Sequence, residues 1–385
     1  MVSAGDTDRG RWDSFDGLRA VLVMTVMIHH AEALFKGWSR PVVEAGWLPV
    51  DGFFVLSGFL IVDVLLRRTD RDGTFDIRAF LLRRLARLYP ALLVVLGAIA
   101  VVATTLDHRP WRGVWPSLVS AASYVHNFSN GRVSPLLTEV GPMWSLSVEF
   151  QFYVAIAIAL GAVVLVASPP RSRARPLVVG TVFGIGLASA VGRARLGVQA
   201  FPRSYLTTPF RLDGLAAGVL LALAVRSGLV ARTPRAAVTG AGIVALGALL
   251  AITFTMGVFD SITYTWGIAA GVVASTVVVA WLVRDPGSAL ARALSTPLLV
   301  ALGRRSYAAY LWHQTVFLAL FRHTDLGGWS VGITGFAITG VLADATYRVV
   351  ERPVLSWTGR WATAPGRRRR PATGLLSREG PEPAA

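Results

Sequence analysis

Long apolar stretches alternate with short polar ones along most of the chain. An α-helix needs roughly 20 mostly apolar residues to cross the hydrocarbon core of a bilayer, and ten stretches approach that length. They predict an all-α, polytopic membrane protein with about ten transmembrane helices. The stretches are Phe15–Phe35, Gly46–Leu66, Pro90–Leu106, Trp144–Ala167, Pro176–Val191, Tyr205–Val225, Ala236–Met256, Thr263–Val283, Pro297–Phe321 and Val331–Val350.

Basic residues between these stretches predict their orientation, because positive charge is enriched in cytoplasmic loops. Most of the clusters fall on one side of the membrane if the N- and C-termini are both cytoplasmic. The clusters are Arg67, Arg68, Arg71, Arg78, Arg83, Arg84 and Arg87; Arg171, Arg173 and Arg175; Arg226, Arg232 and Arg235; and Arg367, Arg368, Arg369 and Arg370. Arg193, Arg195 and Arg203 are assigned to the outer side and are an exception that does not reverse the orientation.

Composition supports a membrane protein and narrows the function. Hydrophobic residues make up 54% of the 385 residues and charged residues 16%, whereas soluble domains are about 25% charged. The net charge of +16 would suggest nucleic acid in a soluble chain, but these arginines flank apolar runs. We therefore expect a lipid bilayer, and no nucleic acid, as partner. The chain has no cysteine, and its histidines and carboxylates show no metal-ligand spacing, so no metal is expected.

We divide the chain into three parts. Residues 1–13 form a polar N-terminal segment, residues 14–358 the transmembrane domain, and residues 359–385 a basic cytoplasmic tail expected to be disordered because it is rich in Pro, Gly and Arg. No soluble domain is expected after the membrane part. Within the last span, the sequence from Tyr347 to Pro353 predicts a helix stop at the cytoplasmic face.

Ionisable residues inside predicted spans are functional candidates, because each costs about 2.5–3.5 kcal/mol to insert. In the first span, Arg19 and His30 are eleven residues apart. At 100° per residue they share one helix face, about 16 Å apart along the axis. An interfacial arginine and a histidine bonded within the bundle would show the same spacing. His29 points to another face and is expected to be structural.

The fourth span contains Glu149, about five residues from its outer end, and His30 lies at a similar depth in the first span. A histidine–carboxylate pair is therefore possible, in which the carboxylate fixes the imidazole tautomer for general-base chemistry. The alternative is a buried glutamate bonded to backbone or to Gln151. In the second span, Ser57 and Gly58 are small enough to let another helix approach closely.

Other polar groups are candidates for ligand binding. Arg83, Arg84 and Arg87 precede the third span and either anchor it at the cytoplasmic face or bind the phosphates of a nucleotide cofactor, which guanidinium groups suit. Arg211 and Asp213 are two residues apart on different faces of the sixth predicted span, so each needs its own partner. In the ninth span, Tyr307, Tyr310 and Gln314 follow helical spacing and line either an aromatic wall or a packing interface, with His313 on an adjoining face.

These residues, in this order, resemble the bacterial acyltransferase 3 family of integral membrane O-acyltransferases over about residues 15–353. The resemblance depends on a set of motifs rather than on any one. The set comprises Arg19 and His30 with ten residues between them; the run from Gly52 to Ile61; Arg83, Arg84, Arg87 and Pro90; Trp144-Ser145-Leu146-Ser147-Val148-Glu149 with Phe152-Tyr153; Ser306-Tyr307; Tyr310-Leu311-Trp312-His313; and Glu351-Arg352-Pro353.

The resemblance implies ten spans in the bacterial inner membrane and transfer of an acyl group, expected to be acetyl, from acyl-CoA to a hydroxyl. It also implies an acceptor that is a glycan, a glycolipid or a secondary metabolite, and no permanently bound cofactor. We expect catalytic roles for His30, Glu149 and Arg19, and binding of CoA phosphates by Arg83, Arg84 and Arg87. Candidate substrate-binding residues are Asp51, Trp144, Tyr153, Arg211, Asp213, Tyr310 and His313.

Several alternatives stay open at the level of sequence. His30, oriented by Glu149, acts either as general base or as the nucleophile of an acyl-histidine intermediate. The oxyanion donor could be Tyr310, Trp144 or Arg211. A proton-coupled transporter or flippase also uses intramembrane charges, although no internal repeat is evident. Release of free CoA in the presence of an acceptor would distinguish an enzyme from a carrier, and a scaffold would lose only stability on substitution of His30.

Overall fold

The computed structural model describes residues 4–34, 43–72, 77–129, 138–166 and 171–363. Every regular element in these ranges is helical and no strand occurs among them, which confirms the all-α prediction. The helices are α1 Ala4–Glu32, α2 Leu48–Asp72, α3 Ile77–Val101, α4 Trp111–Ala122, α5 His126–Ser129, α6 Met143–Val166, α7 Arg171–Leu196, α8 Arg203–Leu206, α9 Leu212–Arg226, α10 Leu229–Arg232, α11 Arg235–Thr255, α12 Ile268–Arg284, α13 Ala289–Leu294, α14 Pro297–Arg304, α15 Ser306–His323, α16 Trp329–Thr346 and α17 Arg352–Thr363. Single π-helical turns extend three of them: Val102–Leu106 after α3, Thr263–Gly267 before α12 and Tyr347–Glu351 after α16.

Each of the ten predicted apolar stretches coincides with helix, but fewer helices meet a strict criterion for crossing a membrane. Within the described ranges, five are long and apolar enough: Leu48–Arg67, Ile77–Leu106, Pro176–Leu196, Arg235–Thr255 and Thr263–Arg284. Within α6, the segment Met143–Ala159 is also apolar. Both the count of ten spans and the orientation of the termini stay predictions.

Three predicted boundaries are wrong. The stretch Pro297–Phe321 is not one helix, because it is divided at Arg305 into α14 and α15. The stretch beginning at Tyr205 becomes a regular long helix only at Leu212, so Arg211 caps α9 and does not lie inside it. The predicted stop at Pro353 is absent, because the π-helical turn Tyr347–Glu351 leads directly into α17, of which Pro353 is the second residue.

The tail expected to be disordered from residue 359 onward begins as helix, because α17 continues to Thr363. Residues 364–385, with the four consecutive arginines, lie outside the described residues. Of the long loop between residues 107 and 142, the described part folds into α4, α5 and the short 3₁₀ turn Thr138–Val140.

A close helix contact in the site region joins α2 to α9, and two glycines make it possible. A Cβ added at Gly58 would lie 2.2 Å from the backbone oxygen of Leu215, and one added at Gly218 would lie 2.2 Å from that of Val55. Neither position therefore has room for a side chain. The predicted close approach at Gly58 is confirmed, and its partner is α9.

Candidate active site

A cavity of about 100 Å³ lies between α1, α2, α3, α6 and α15. It brings together six of the residues predicted from the sequence to be functional: Arg19, Arg84, Arg87, Glu149, Tyr153 and Tyr310. The rest of its wall is apolar or hydroxyl-bearing: Val50, Phe53, Phe54, Ser57, Leu60, Ile61, Leu88, Ser145, Leu146, Ser306 and Tyr307. Three arginines and one glutamate thus share a small space, as a site for an anionic ligand requires.

Glu149 is held within this cavity by two hydroxyl donors. Its Oε1 accepts hydrogen bonds from the hydroxyl of Ser57 on α2 and from that of Tyr153, one turn further along α6. The ring of Tyr153 also faces a guanidinium group, since Arg84 Cζ lies 5.2 Å from the ring centroid. The Glu149 carboxylate is therefore positioned between an uncharged donor pair and the arginine-lined part of the cavity.

The predicted pair of His30 and Glu149 does not form. His30 Nδ1 instead lies 3.1 Å from Nε2 of His313 on α15. Similar depth along two helices does not fix the rotation of each helix about its axis, and Glu149 is turned toward Ser57 on α2. The prediction was wrong because sequence spacing gave the depth of the residues but not the direction of their side chains.

His313 connects this histidine pair to the cavity through Tyr310. Its Nδ1 lies 2.7 Å from the backbone oxygen of Tyr310, and Tyr310 is a cavity-lining residue. His313 is fully buried, whereas His30 keeps part of its surface accessible. Neither histidine is among the residues that line the cavity.

The phenol of Tyr310 is anchored at the start of α6. Its hydroxyl donates to the backbone oxygen of Pro142 at 2.8 Å, and Ser145 Oγ lies 2.7 Å from the same hydroxyl. Because the Tyr310 hydroxyl already donates a hydrogen bond to this carbonyl, it would have to break that hydrogen bond to stabilise an oxyanion. His29, expected to be structural, points elsewhere: its Nδ1 lies 2.9 Å from the backbone oxygen of Val43.

Arg211 forms an ion pair with Asp51, with Nη2 and Oδ1 2.7 Å apart and both side chains fully buried. Three aromatic rings surround the guanidinium: its Cζ lies 4.8 Å from the ring centroid of Tyr205, 5.4 Å from that of Trp144 and 5.8 Å from that of Phe54. This arrangement desolvates the pair while supplying cation–π contacts. The stabilisation is incomplete, because Nε and Nη1 of Arg211 and Oδ2 of Asp51 have no hydrogen-bond partner in the part of the chain described.

A second buried pair joins α7 to α9. Arg193 Nη2 and Asp213 Oδ2 are 2.7 Å apart, and Arg193 Nη1 donates to the backbone oxygen of Phe210 at 2.7 Å. The prediction that Arg211 and Asp213 need separate partners is confirmed. The assignment of Arg193 to an outer loop is wrong, because its side chain is 1% exposed and neutralises a carboxylate.

Sequence reasoning missed the contacts that several residues make with the candidate charged groups. Ser57 was singled out only for its small size, and Arg193 only as an exception to the charge pattern. Tyr205, which lies against Arg211, marked only the start of a predicted span. A usable signal existed for Arg193, since an unpaired Asp213 in an apolar stretch requires a cation on another helix.

Arg83 lies one residue before Arg84 on α3 but is not among the residues that line the cavity. Its predicted role in CoA binding stays a prediction, as do the roles of the other candidate residues. The cavity thus brings together Arg19, Arg84, Arg87 and Glu149. The pair of His30 and His313 is not part of its wall.

The chain matches known proteins along nearly its whole length. The profile described as an acyltransferase domain, that of the acyltransferase 3 family, matches residues 12–348. The peptidoglycan O-acetyltransferase OatA of Listeria monocytogenes is 28% identical over 361 residues, which are 89% of this chain and 55% of that protein. The O-acetyltransferase OatA of Staphylococcus aureus is 29% identical over 359 residues, 88% of this chain and 56% of that protein.

The chain spans about half the length of these curated relatives. No solved structure matches it. Both relatives transfer acyl groups to oxygen according to their names, and this favours an enzyme over the transporter and scaffold alternatives. The match to residues 12–348 shows that the chain belongs to the acyltransferase 3 family.

Proposed function

We propose that the protein transfers an acetyl group from cytoplasmic acetyl-CoA to a hydroxyl of a glycan, as a multi-pass protein of the bacterial inner membrane. The observation that supports this most directly is the cavity, in which Arg19, Arg84 and Arg87 lie beside Glu149 and Tyr310. Guanidinium groups bind phosphates through paired hydrogen bonds. The phosphates of CoA would bind at Arg84 and Arg87, with the thioester end directed into the cavity.

The size of the cavity supports a short acyl group. Its volume of about 100 Å³ suits a group as small as acetyl better than a long fatty acyl chain. Apolar side chains such as Phe53, Phe54 and Leu146 enclose the part away from the arginines.

The acceptor hydroxyl loses its proton to His30 as its oxygen attacks the thioester carbonyl. The carbon–sulfur bond then breaks, and the CoA thiolate takes up that proton. One ester and one free thiol result, so atoms and charge balance. An acyl-histidine intermediate is the alternative route, and trapping of an acetylated His30 peptide by acid quench would distinguish it.

We propose that the acceptor binds beside the buried pair of Asp51 and Arg211. The rings of Trp144 and Tyr205 pack against the guanidinium of Arg211, and polar atoms of the pair lack hydrogen-bond partners in the described part of the chain. Asp213, paired with Arg193, also keeps one carboxylate oxygen without a hydrogen-bond partner among the described residues. His313 contacts His30 and the backbone of Tyr310, so its contribution to acceptor binding is indirect.

The test is release of free CoA from acetyl-CoA by the purified protein in liposomes, with and without candidate glycans. Acceptor-dependent release supports the proposal. Arg84→Gln should raise the KM for acetyl-CoA, while the control Arg235→Gln, at the start of α11 and away from the cavity, should not. Equal use of acetyl-CoA and palmitoyl-CoA would contradict the acetyl preference, and absence of release with every acceptor class would contradict the donor.

Trp144→Phe separates the acceptor site from the donor site. It keeps an aromatic ring over Arg211 but removes the indole. We expect a higher KM for the acceptor and an unchanged KM for acetyl-CoA. A change in the KM for acetyl-CoA alone would instead assign Trp144 to the donor site.

A further inference from the structure

The contact between His30 and His313 determines where each imidazole holds its proton. The backbone oxygen of Tyr310, 2.7 Å from His313 Nδ1, can only accept a hydrogen bond, so His313 must donate from Nδ1. A neutral imidazole has one proton, and Nε2 of His313 is then an acceptor. That atom faces His30 Nδ1 at 3.1 Å, so His30 donates from Nδ1 and keeps the lone pair of its Nε2.

The neutral form of His313 follows from its surroundings. The side chain is fully buried, and its neighbours are the aromatic rings of Tyr310 and Phe317 together with His30. Among the described residues no carboxylate lies within hydrogen-bonding or ion-pairing distance of it. An isolated charge in such a place is strongly disfavoured. A neutral His313 with its proton on Nδ1 satisfies both contacts at once.

We propose that His313 is a positioning residue that fixes His30 in the tautomer whose Nε2 is free to take a proton. This inference rests on the proposed function, in which His30 is the general base. His313 here takes the place of the carboxylate that orients the base in many hydrolytic triads. Its own orientation comes from the carbonyl of Tyr310, so the chain of contacts ends in backbone and contains no acid.

The arrangement has a consequence for the charged state of His30. When Nε2 accepts the hydroxyl proton, the imidazolium still donates from Nδ1 to the neutral Nε2 of His313. A neutral acceptor stabilises that charge less than a carboxylate would. His313 therefore acts mainly on orientation and tautomer.

The direct test is ¹⁵N solid-state NMR of histidine-labelled protein in bilayers, in which protonated and unprotonated ring nitrogens have separate shifts. The chain has six histidines, and the spectrum of His30→Ala identifies the signals of His30. We expect a protonated Nδ1 and an unprotonated Nε2 in the wild type. A His30 protonated on Nε2 would overturn the proposal, whether or not the protein is active.

Activity supplies the second readout through two variants of similar size. His313→Leu removes the acceptor and should lower kcat about 10–100-fold with little change in KM, the range seen when groups that orient a functional histidine are lost. His313→Gln places a carbonyl oxygen near the former Nε2 and should recover most of that loss. Equal activity of His313→Leu and wild type, or equal loss in both variants, would refute a tautomer-setting role.

The two proposals fail in different ways. If the wild type releases no CoA with any acceptor, the proposed function is wrong, and the NMR result still decides the tautomer. If the wild type is active but the tautomer is reversed, only the role of His313 is wrong.

Discussion

Two regions of this protein hold charge inside an apolar helical bundle, and they do so in opposite ways. Around the cavity, Arg19, Arg84 and Arg87 lie beside one carboxylate of the wall, Glu149, which accepts hydrogen bonds from two hydroxyl groups. Arg19 also forms an ion pair with Asp16 at 3.2 Å. Along α9, Arg211 and Arg193 are matched one to one with buried aspartates. The wall of the first region therefore contains more arginines than carboxylates, whereas the second region pairs each arginine with an aspartate.

The difference indicates which charges serve function and which serve the fold. A cation excess next to an open volume is stable only when water or an anion fills that volume. A matched pair enclosed by aromatic rings needs neither. The pair of Asp51 and Arg211 is intermediate, because it is matched in charge but not in hydrogen bonds.

The largest expected effect is that of substituting His30, which lies in neither of these two regions. His30→Ala should lower the rate of acetyl transfer by about 10²–10⁴, the usual contribution of general-base catalysis. The measurement is acceptor-dependent CoA release at matched protein levels in the membrane. His29→Ala, which removes the neighbouring histidine bonded to Val43, is the control and should stay within a few-fold of wild type. A rate for His30→Ala above a tenth of the wild-type rate would refute the assignment.

The second prediction tests whether the pairs on α9 serve the fold. Arg211→Met leaves Asp51 as an uncompensated buried charge, so we expect a loss of about 3–5 kcal/mol in the free energy of unfolding. Thermal and denaturant unfolding in detergent micelles measures it. The control is Arg304→Met, because Arg304 forms longer ion pairs of 3.3 Å with Asp13 and Asp16 and is about half exposed. Such pairs contribute at most about 1 kcal/mol. Equal losses of unfolding free energy in the two variants would show that the buried pair contributes no more to stability than a half-exposed one.

The third prediction tests whether the cavity cations bind the donor. Arg87→Gln should raise the KM for acetyl-CoA about tenfold, since a charge-assisted hydrogen bond contributes about 1.5–3 kcal/mol, and should leave kcat and stability nearly unchanged. Steady-state kinetics at two salt concentrations measures this, and the wild-type KM should rise with salt more steeply than that of the variant. A variant that loses stability but keeps its KM would place Arg87 with the structural charges.

The smallest expected effect concerns the hydroxyl donors to Glu149. Ser57→Ala removes one of the two and should cost about 1 kcal/mol of stability or of transition-state stabilisation. Tyr153→Phe removes the other and provides the matched comparison, measured by unfolding and by kcat/KM for each variant. If both variants behave as wild type, the position of Glu149 does not depend on these hydrogen bonds.

The sequence alone predicted where the helices lie, which buried charges need partners and where one close helix contact occurs. Apolar length located helix at all ten predicted stretches, and the spacing of two residues correctly indicated that Arg211 and Asp213 need separate partners. The same reasoning placed Gly58 at a close helix contact. These are properties of one helix and its periodicity, which sequence determines directly.

What the sequence did not determine depends on how helices are arranged around one another. Arg193 was taken as a loop charge because its partner, Asp213, is twenty residues away on another helix. Glu149 was paired with His30 because their depths agree, whereas the rotation of α6 directs Glu149 to Ser57. The break at Arg305 and the continuation through Pro353 were missed because local composition permits either outcome.

The glycine contact between α2 and α9 has a mechanical consequence. Because Gly58 and Gly218 leave no space for a side chain between the two backbones, we expect α2 and α9 to move together as a rigid unit. Ser57, at the cavity, and Asp51, at the buried pair, lie six residues apart on α2, about 9 Å along the axis at 1.5 Å per residue. We therefore expect any opening that admits a donor or releases a product to come from movement of α1, α3, α6 or α15 relative to the pair of α2 and α9.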